Sequence, residues 1–297
     1  LTDMFVGGHS HAASLGEINF LGKAISLDGK CSCGDNLRTC MQWRKVFDVI
    51  LSAQGIDLIK NTYAFRLWDA LAAVAIDHRH QTLAYRAAVT FRKAWMEGRN
   101  HLSDGLRERF PIPPVLLKAL HNKIDLYRAI SRCWGKSVIV DSSKNFREAV
   151  ELHQRWPDLV KVLLLTRDGR GVYLSRRSSG LSQSESVNGW LRYYRRAVPL
   201  LESHIAPSNL LKIRYEDLAS DPEGTGRILC DFVGIPFESG MLDLAQATRH
   251  LVDGNNTRFA PGKGIRLDER WRTELYGAEL DFFKRNGGDM NCRLGYR

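Results

Sequence analysis

Between residues 160 and 166 the chain reads Val-Lys-Val-Leu-Leu-Leu-Thr, a near-continuous apolar run of the kind that forms a strand buried on both faces. Two shorter runs of similar character, Ser137–Val140 and Leu210–Arg214, lie before and after it. Segments of helical period separate them. Phe146–Trp156 is one, stopped by Pro157, and Gly169–Ser178 is another. Ser186–Ile205 carries Val187, Trp190, Leu191, Tyr194, Val198 and Leu201 on one face. A last helix starts at Pro222 and ends near Gly234. Strand and helix thus alternate, which predicts an α/β domain built on a parallel sheet flanked by helices.

The first half reads differently. Leu1–Glu17 has the pattern of a helix tail, a loop and a short extended piece, and Cys31–Cys40 that of a loop. Residues 43–132 are mainly helical, with Trp68, Leu71, Ala72 and Ala75 at helical spacing. Pro111, Pro113 and Pro114 break this stretch, and the period resumes over Leu116–Ile130. These stripes read as core, and the stretch as a helical, substrate-side insertion in a single domain of 297 residues.

Composition narrows the function only a little. The formal charge of +10 favours anionic partners, but the basic residues are scattered and form no long tail, so nucleic acid is not expected. No apolar run reaches the roughly 20 residues that span a bilayer, so stable membrane insertion is not expected either. A cytoplasmic location is expected, although a luminal Golgi enzyme cut from its anchor would look the same. Oligomeric state is not written in any motif.

Six cysteines are present, three of them local: Cys31, Cys33 and Cys40. Zinc usually takes four ligands, with paired cysteines two to four residues apart. Three thiols at poorer spacing predict no metal site. A disulfide from Cys31 or Cys33 to Cys40, or reduced buried thiols, are the readings left open.

Ligands of open parallel sheets bind beyond the carboxyl ends of the strands, and three polar clusters fall there. Asp141-Ser-Ser-Lys144 follows the first strand, and Arg167-Asp-Gly-Arg170 the second, with Ser175 in the helix beyond. Arg214-Tyr-Glu-Asp217 follows the third. Arginine grips phosphate bidentately and lysine supplies a point charge. A helix starting at Gly169 offers backbone N–H groups to an anion. Ion pairing of Arg167 with Asp168 or Asp141 is the purely structural alternative.

Leu163-Leu-Leu-Thr-Arg167-Asp-Gly-Arg-Gly-Val-Tyr-Leu-Ser175 resembles the 3′-phosphate-binding strand and helix of sulfotransferases that use 3′-phosphoadenosine 5′-phosphosulfate. Asp141-Ser-Ser-Lys144 resembles the preceding strand end of that superfamily, and Ile213-Arg-Tyr215-Glu-Asp-Leu218 its next strand. Gly254-Asn-Asn-Thr-Arg258-Phe resembles the late loop that covers the nucleotide. Ser14-Leu-Gly-Glu17 resembles the Gly-Glu element of tyrosylprotein and several bacterial carbohydrate sulfotransferases. The resemblance runs from about Ser14 to the C-terminus and is weakest over the helical region.

It implies a P-loop-NTPase-like fold and sulfuryl transfer from the phosphosulfate nucleotide, which leaves as adenosine 3′,5′-bisphosphate. Arg167 and Ser175 would hold the 3′-phosphate, and Lys144 would stabilise the leaving phosphate. Glu17 would be the general base, with His9, His11 and His250 as rivals. Tyr215 would pack near the nucleotide, or simply in the core. Asn255, Asn256, Thr257 and Arg258 would cover it. No metal is implied. The acceptor would be a hydroxyl of a carbohydrate or other small molecule, with a tyrosine or phenol as the alternative. The family's opening strand and Ser/Thr- or Gly-rich loop for the 5′-phosphosulfate is not matched, since Leu1–Phe5 reads as the helix that follows it. A segment ahead of Leu1 is therefore expected. A P-loop kinase, needing Gly-x-x-x-x-Gly-Lys-Ser/Thr and a magnesium carboxylate, and a degenerate anion-binding relative remain the competing readings.

Overall fold

Alternation of strand and helix fixes how strands run, because each return crosses over a helix and re-enters the sheet in the same direction. In the computed structural model the four strands among the described residues pair in parallel. The structure describes residues 2–68, 82–254, 256–259, 262 and 264–297. Trp68 is thus described, whereas Leu71, Ala72 and Ala75, placed on a helix by their spacing, lie outside the described residues. Internal packing divides the chain into two units, Leu1–Glu148 with Ile235–Gly264, and Ala149–Gly234 with Ile265–Arg297.

In the first unit, strand β1 (Ala12–Ser14) follows helix α1 (Thr2–Val6) and pairs parallel to β2 (Val138–Val140). The register matches Ala12 with Val138 and Ser14 with Val140. Helix α2 (Leu21–Ser26) follows, then α3 (Met41–Gln54), α4 (Leu83–Arg99) and α5 (Pro114–Trp134). The buried residues of α3 are Trp43, Val46, Phe47 and Ile50, which is the i, i+3, i+4, i+7 stripe of a helix with one apolar face. They pack with Leu126, Ala129 and Ile130 of α5 and with Leu15, Ile18, Leu21 and Ile25 into one core. Each such side chain contributes about 1.5–3 kcal/mol through burial, so this cluster anchors the ends of β1 and β2.

The second unit holds β3 (Val162–Thr166) and β4 (Leu210–Arg214), parallel and in register from Val162/Leu210 to Thr166/Arg214. Helix α6 (Phe146–Arg155) precedes β3 in the chain. Helices α7 (Gly169–Ser178) and α8 (Gln183–His204) follow it. A capping box between Ser182 and Glu185 starts α8. Its buried side is the expected one, with Ala197 and Leu200 added and Val198 only half-buried. Helices α9 (Tyr215–Ser220) and α10 (Pro222–Val233) come after β4, and α11 (Trp271–Glu274) and α12 (Gly277–Arg293) close the chain. A Cβ at Gly169 would sit 2.7 Å from both Phe283 and Trp190, so only glycine lets α7 start against α12 and α8.

Each unit holds one two-stranded parallel sheet among the described residues. Alternation dictates parallelism, but which strand neighbours which is set by long-range packing that the local pattern does not encode. The chain passes directly from β4 into the first turn of α9, so Tyr215-Glu-Asp217 is helical. No helix among the described residues is long and apolar enough to cross a membrane.

Candidate active site

At the ends of β1 and β2 the backbone makes two uncommon turns. Gly16 has φ +68°, and a Cβ there would lie 2.3 Å from the Asp253 carbonyl oxygen. The glycine lets residue 17 approach the returning segment, and the Glu17 N–H donates to that oxygen at 3.3 Å. At the end of β2, Ser142 N donates to the Gly16 carbonyl at 3.0 Å, and Lys144 adopts φ +57°. Few non-glycine residues occupy this left-handed region. The result places Lys144 Nζ 2.6 Å from Glu17 Oε1. The lysine side chain is 67% exposed and the glutamate 21%, so the pair faces solvent through the lysine.

A buried charged network holds this turn from behind. Lys123 of α5, almost fully buried, lies 2.8 Å from Asp141 Oδ2 and 2.7 Å from Glu148 Oε1. Asp141 also accepts from Tyr127 Oη at 2.6 Å and from the Ser143 backbone N–H at 2.8 Å. Asn19 bonds Ser143 and Glu148 in turn. Burial alone would drive the Lys123 ammonium toward neutrality, but the two carboxylates outweigh it and raise its pKa. Burial would likewise raise Asp141, and Lys123 with its hydrogen bonds overrides that, holding it below the usual carboxylate range. For Glu148 burial wins and its pKa rises. The network therefore carries a charged Lys123–Asp141 pair beneath Lys144, and Tyr127, pushed well up by burial and by Asp141, stays a hydroxyl donor.

Of the late-loop residues, Asn255 lies outside the described residues. Asn256 is exposed, and Asn256–Arg258 is a single 3₁₀ turn. Arg258 Nη1 donates to Asp253 Oδ1 at 3.1 Å and to the Gly254 carbonyl at 3.0 Å. Asp253 thus joins Glu17 and Arg258, one through its carbonyl and the other through its carboxylate. The rival base His9 is buried and bonded through Nε2 to the Pro236 carbonyl at 2.6 Å. His11 is exposed, and His250 sits among cysteines, 3.4 Å from Cys40 Sγ.

In the second unit, Arg167 follows β3 with its guanidinium 4.5 Å from the centre of the Tyr215 ring. Its Nη2 donates to Asp268 Oδ2 at 3.0 Å, a partner that is neither Asp168 nor Asp141. Tyr215 is thereby placed. Its hydroxyl donates to the Arg266 carbonyl and accepts from the Asp268 N–H, both at 2.9 Å. Hydrogen bonds from Arg270 first, and then from Arg167, hold the Asp268 carboxyl well below its usual range. Ser175 is exposed on α7, two turns beyond Arg167.

The helix N-terminus expected to offer amides to an anion is already occupied. Gly169 N donates to Asn291 Oδ1 at 2.7 Å, and Arg170 N to Asp168 Oδ1 at 2.9 Å. Asp168 is an N-cap, the first-turn carboxylate that a helix favours. Arg170 grips that same carboxylate and stacks 3.8 Å above Trp271, so it is structural. Asp168 and Gly169 themselves form the readable signal, an Asx cap directly before a helix. Asp268, Asn291, Lys123 and Glu148 carried none, since each meets its partner from a distant part of the chain.

The sulfotransferase family model matches residues 40–239, two thirds of the sequence. The chain belongs to the sulfotransferase family. One solved structure supports the fold. A sulfotransferase domain from the Synechococcus PCC 7002 olefin synthase superposes with a TM-score of 0.53 at 16% identity, covering 99% of this sulfotransferase and 89% of that chain. A sulfotransferase domain from the curacin biosynthetic pathway gives 0.48 at 17% identity, covering 99% and 92%. No curated protein matches. The matched span contains Lys144, Arg167, Ser175 and Tyr215, whereas Glu17 and residues 255–258 lie outside it.

Proposed function

We propose that this sulfotransferase moves a sulfuryl group from 3′-phosphoadenosine 5′-phosphosulfate to a hydroxyl of a carbohydrate or other small molecule, on a P-loop-NTPase-like fold. The observation that carries the reading is Arg167. It stands at the carboxyl end of a parallel strand, its face fixed on Tyr215 and one of its nitrogens bonded to Asp268. A guanidinium has five N–H donors, so a phosphate can be bound alongside Asp268 by a cation whose position is already set. Ser175, exposed on the following helix, would add a hydroxyl to the same 3′-phosphate. Selection against ATP then follows from the missing 3′-phosphate.

The transfer itself is an in-line displacement that depends on positioning and charge stabilisation. The acceptor oxygen forms a bond to sulfur as the bond from sulfur to the 5′-phosphate oxygen breaks, and the acceptor proton passes to Glu17. Lys144 stabilises the charge that grows on the leaving phosphate. Lys144 Nζ lies 2.6 Å from Glu17 Oε1, so base and charge-stabilising group would act at one point. Asn255, Asn256, Thr257 and Arg258 would cover the nucleotide.

Calorimetric titration with adenosine 3′,5′-bisphosphate, with AMP and ATP as controls, tests this. The bisphosphate should bind selectively, and Arg167→Ala should weaken it about 10- to 100-fold, the loss of charge-assisted bonds of about 1.5–3 kcal/mol. Equal affinity for AMP and the bisphosphate would remove the donor assignment.

A further inference from the structure

Cys31, Cys33 and Cys40 converge in the first unit, and the fold brings His250 to them from more than 200 residues away in sequence. The four candidate ligand atoms, three Sγ and one imidazole nitrogen, all lie within 4.8 Å of one another. His250 Nδ1 is 3.5 Å from Cys31 Sγ and 3.4 Å from Cys40 Sγ, and Cys33 Sγ is 3.7 Å from Cys40 Sγ. Zinc bound tetrahedrally at about 2.3 Å to sulfur and 2.0–2.1 Å to nitrogen sets S···S edges of about 3.75 Å and S···N edges of about 3.5 Å. The three separations just given match those edges, and the remaining pairs stay within 4.8 Å. They are far from the roughly 2.05 Å of a disulfide, and none of the six cysteines, all of them among the described residues, is joined in a disulfide.

We propose that Cys31, Cys33, Cys40 and His250 form a structural Cys₃His zinc site. Four protein ligands fill a tetrahedral shell and leave no open position, which separates a structural site from a catalytic one. The surroundings orient the ligands as outer-shell partners do. The Gly34 N–H donates to the Cys31 carbonyl at 2.9 Å and the Cys31 N–H to the Asp35 carbonyl at 2.8 Å, which turns the Cys31–Cys33 segment back on itself. Cys40 is the N-cap of α3, which fixes its backbone at the start of that helix. Trp43 Nε1 donates to the His250 carbonyl at 3.0 Å, and Ser32 Oγ bonds both the Arg249 carbonyl and the Leu251 N–H.

The site works as a clasp. It ties residues 249–251 to the cysteine loop, and the same returning segment reaches β1 a step later. Val252 N donates to the Leu15 carbonyl at 2.9 Å, and Asp253 accepts from Glu17. Zinc therefore sets the backbone against which Glu17 is placed, without entering the transfer.

The full chain, purified without a histidine tag or chelator, should contain about one zinc per molecule by plasma mass spectrometry. Cobalt in its place should show the d–d bands of a tetrahedral ion and thiolate-to-cobalt charge transfer. His250→Cys should keep the metal and raise that charge transfer by about one third, from three thiolates to four. Cys133→Ser and Cys292→Ser should leave both readouts unchanged. Cys40→Ser should lose the metal. Wild-type protein with less than about 0.1 zinc per chain that takes up no cobalt would overturn the proposal. So would a cobalt spectrum that His250→Cys leaves unchanged, or a Cys33–Cys40 disulfide in the protein as purified.

Discussion

Lys123 shows what a single residue can commit a fold to. Its ammonium is buried between Asp141 and Glu148, which it pairs at 2.8 and 2.7 Å. Removing one member of such a group leaves uncompensated buried charge, which costs about 3–5 kcal/mol. Lys123→Met should lower the unfolding free energy from urea titration by that amount, and Glu148→Gln added to it should restore part of the loss. If the single variant unfolds with the wild type, the network does not hold the turn beneath Lys144. Residues at this scale were legible when chemistry and position coincided. Arg167 stood out because a cation directly follows an apolar strand, and Lys144 because one comes four residues after such a strand. Lys123 stands inside Leu116–Ile130, where nothing local marks it, since the carboxylates that explain it lie beyond the end of its own helix.

Among elements, the junction of α7 and α12 is held by Glu279. Its carboxylate accepts from Arg177 Nη2 at 2.9 Å and from the Tyr173 hydroxyl. The arginine bond, then the tyrosine, lowers its pKa to about 2 from an ordinary 4.5. A carboxylate with a depressed folded pKa stabilises the fold fully above its unfolded value and loses that contribution as pH falls toward the folded one. Glu279→Gln should therefore be less stable than wild type near neutrality, and the difference should shrink between about pH 4.5 and 2. Urea midpoints for both proteins across that window decide it, and a difference independent of pH would exclude the ion pair as its source. The bounds of β3 and β4 were readable from apolar runs that begin and end sharply, and α7 from its place directly after β3. Helix α12 was not, because Gly287 and Gly288 and a weak apolar face blur its period.

At the scale of the whole molecule, local pattern stops carrying information. Parallel strands and helix order followed from alternation, but the pairing of β1 with β2 closes a loop of more than a hundred residues. Gly16 with Asp253, His9 with Pro236 and the cysteines with His250 are longer still. Such closures are stabilised only by the assembled core, so no window of the sequence displays them. The family resemblance reached further than periodicity did, because its motifs are spaced along the chain in a fixed order. It still missed the carboxylate that faces Arg167 and the acceptors that fill the N-terminus of α7.

Lys144 bears on whether the lineage of this chain has kept a working catalyst. Holding lysine at φ +57° costs roughly 1–2 kcal/mol, a strain that asparagine relieves. Lys144→Asn should match or exceed the wild-type Tm while sulfuryl transfer falls. Neutral drift in a retired enzyme would then run downhill from lysine at this position. A lysine left standing there is a residue that purifying selection on transfer would have to defend, and stability alone would let go.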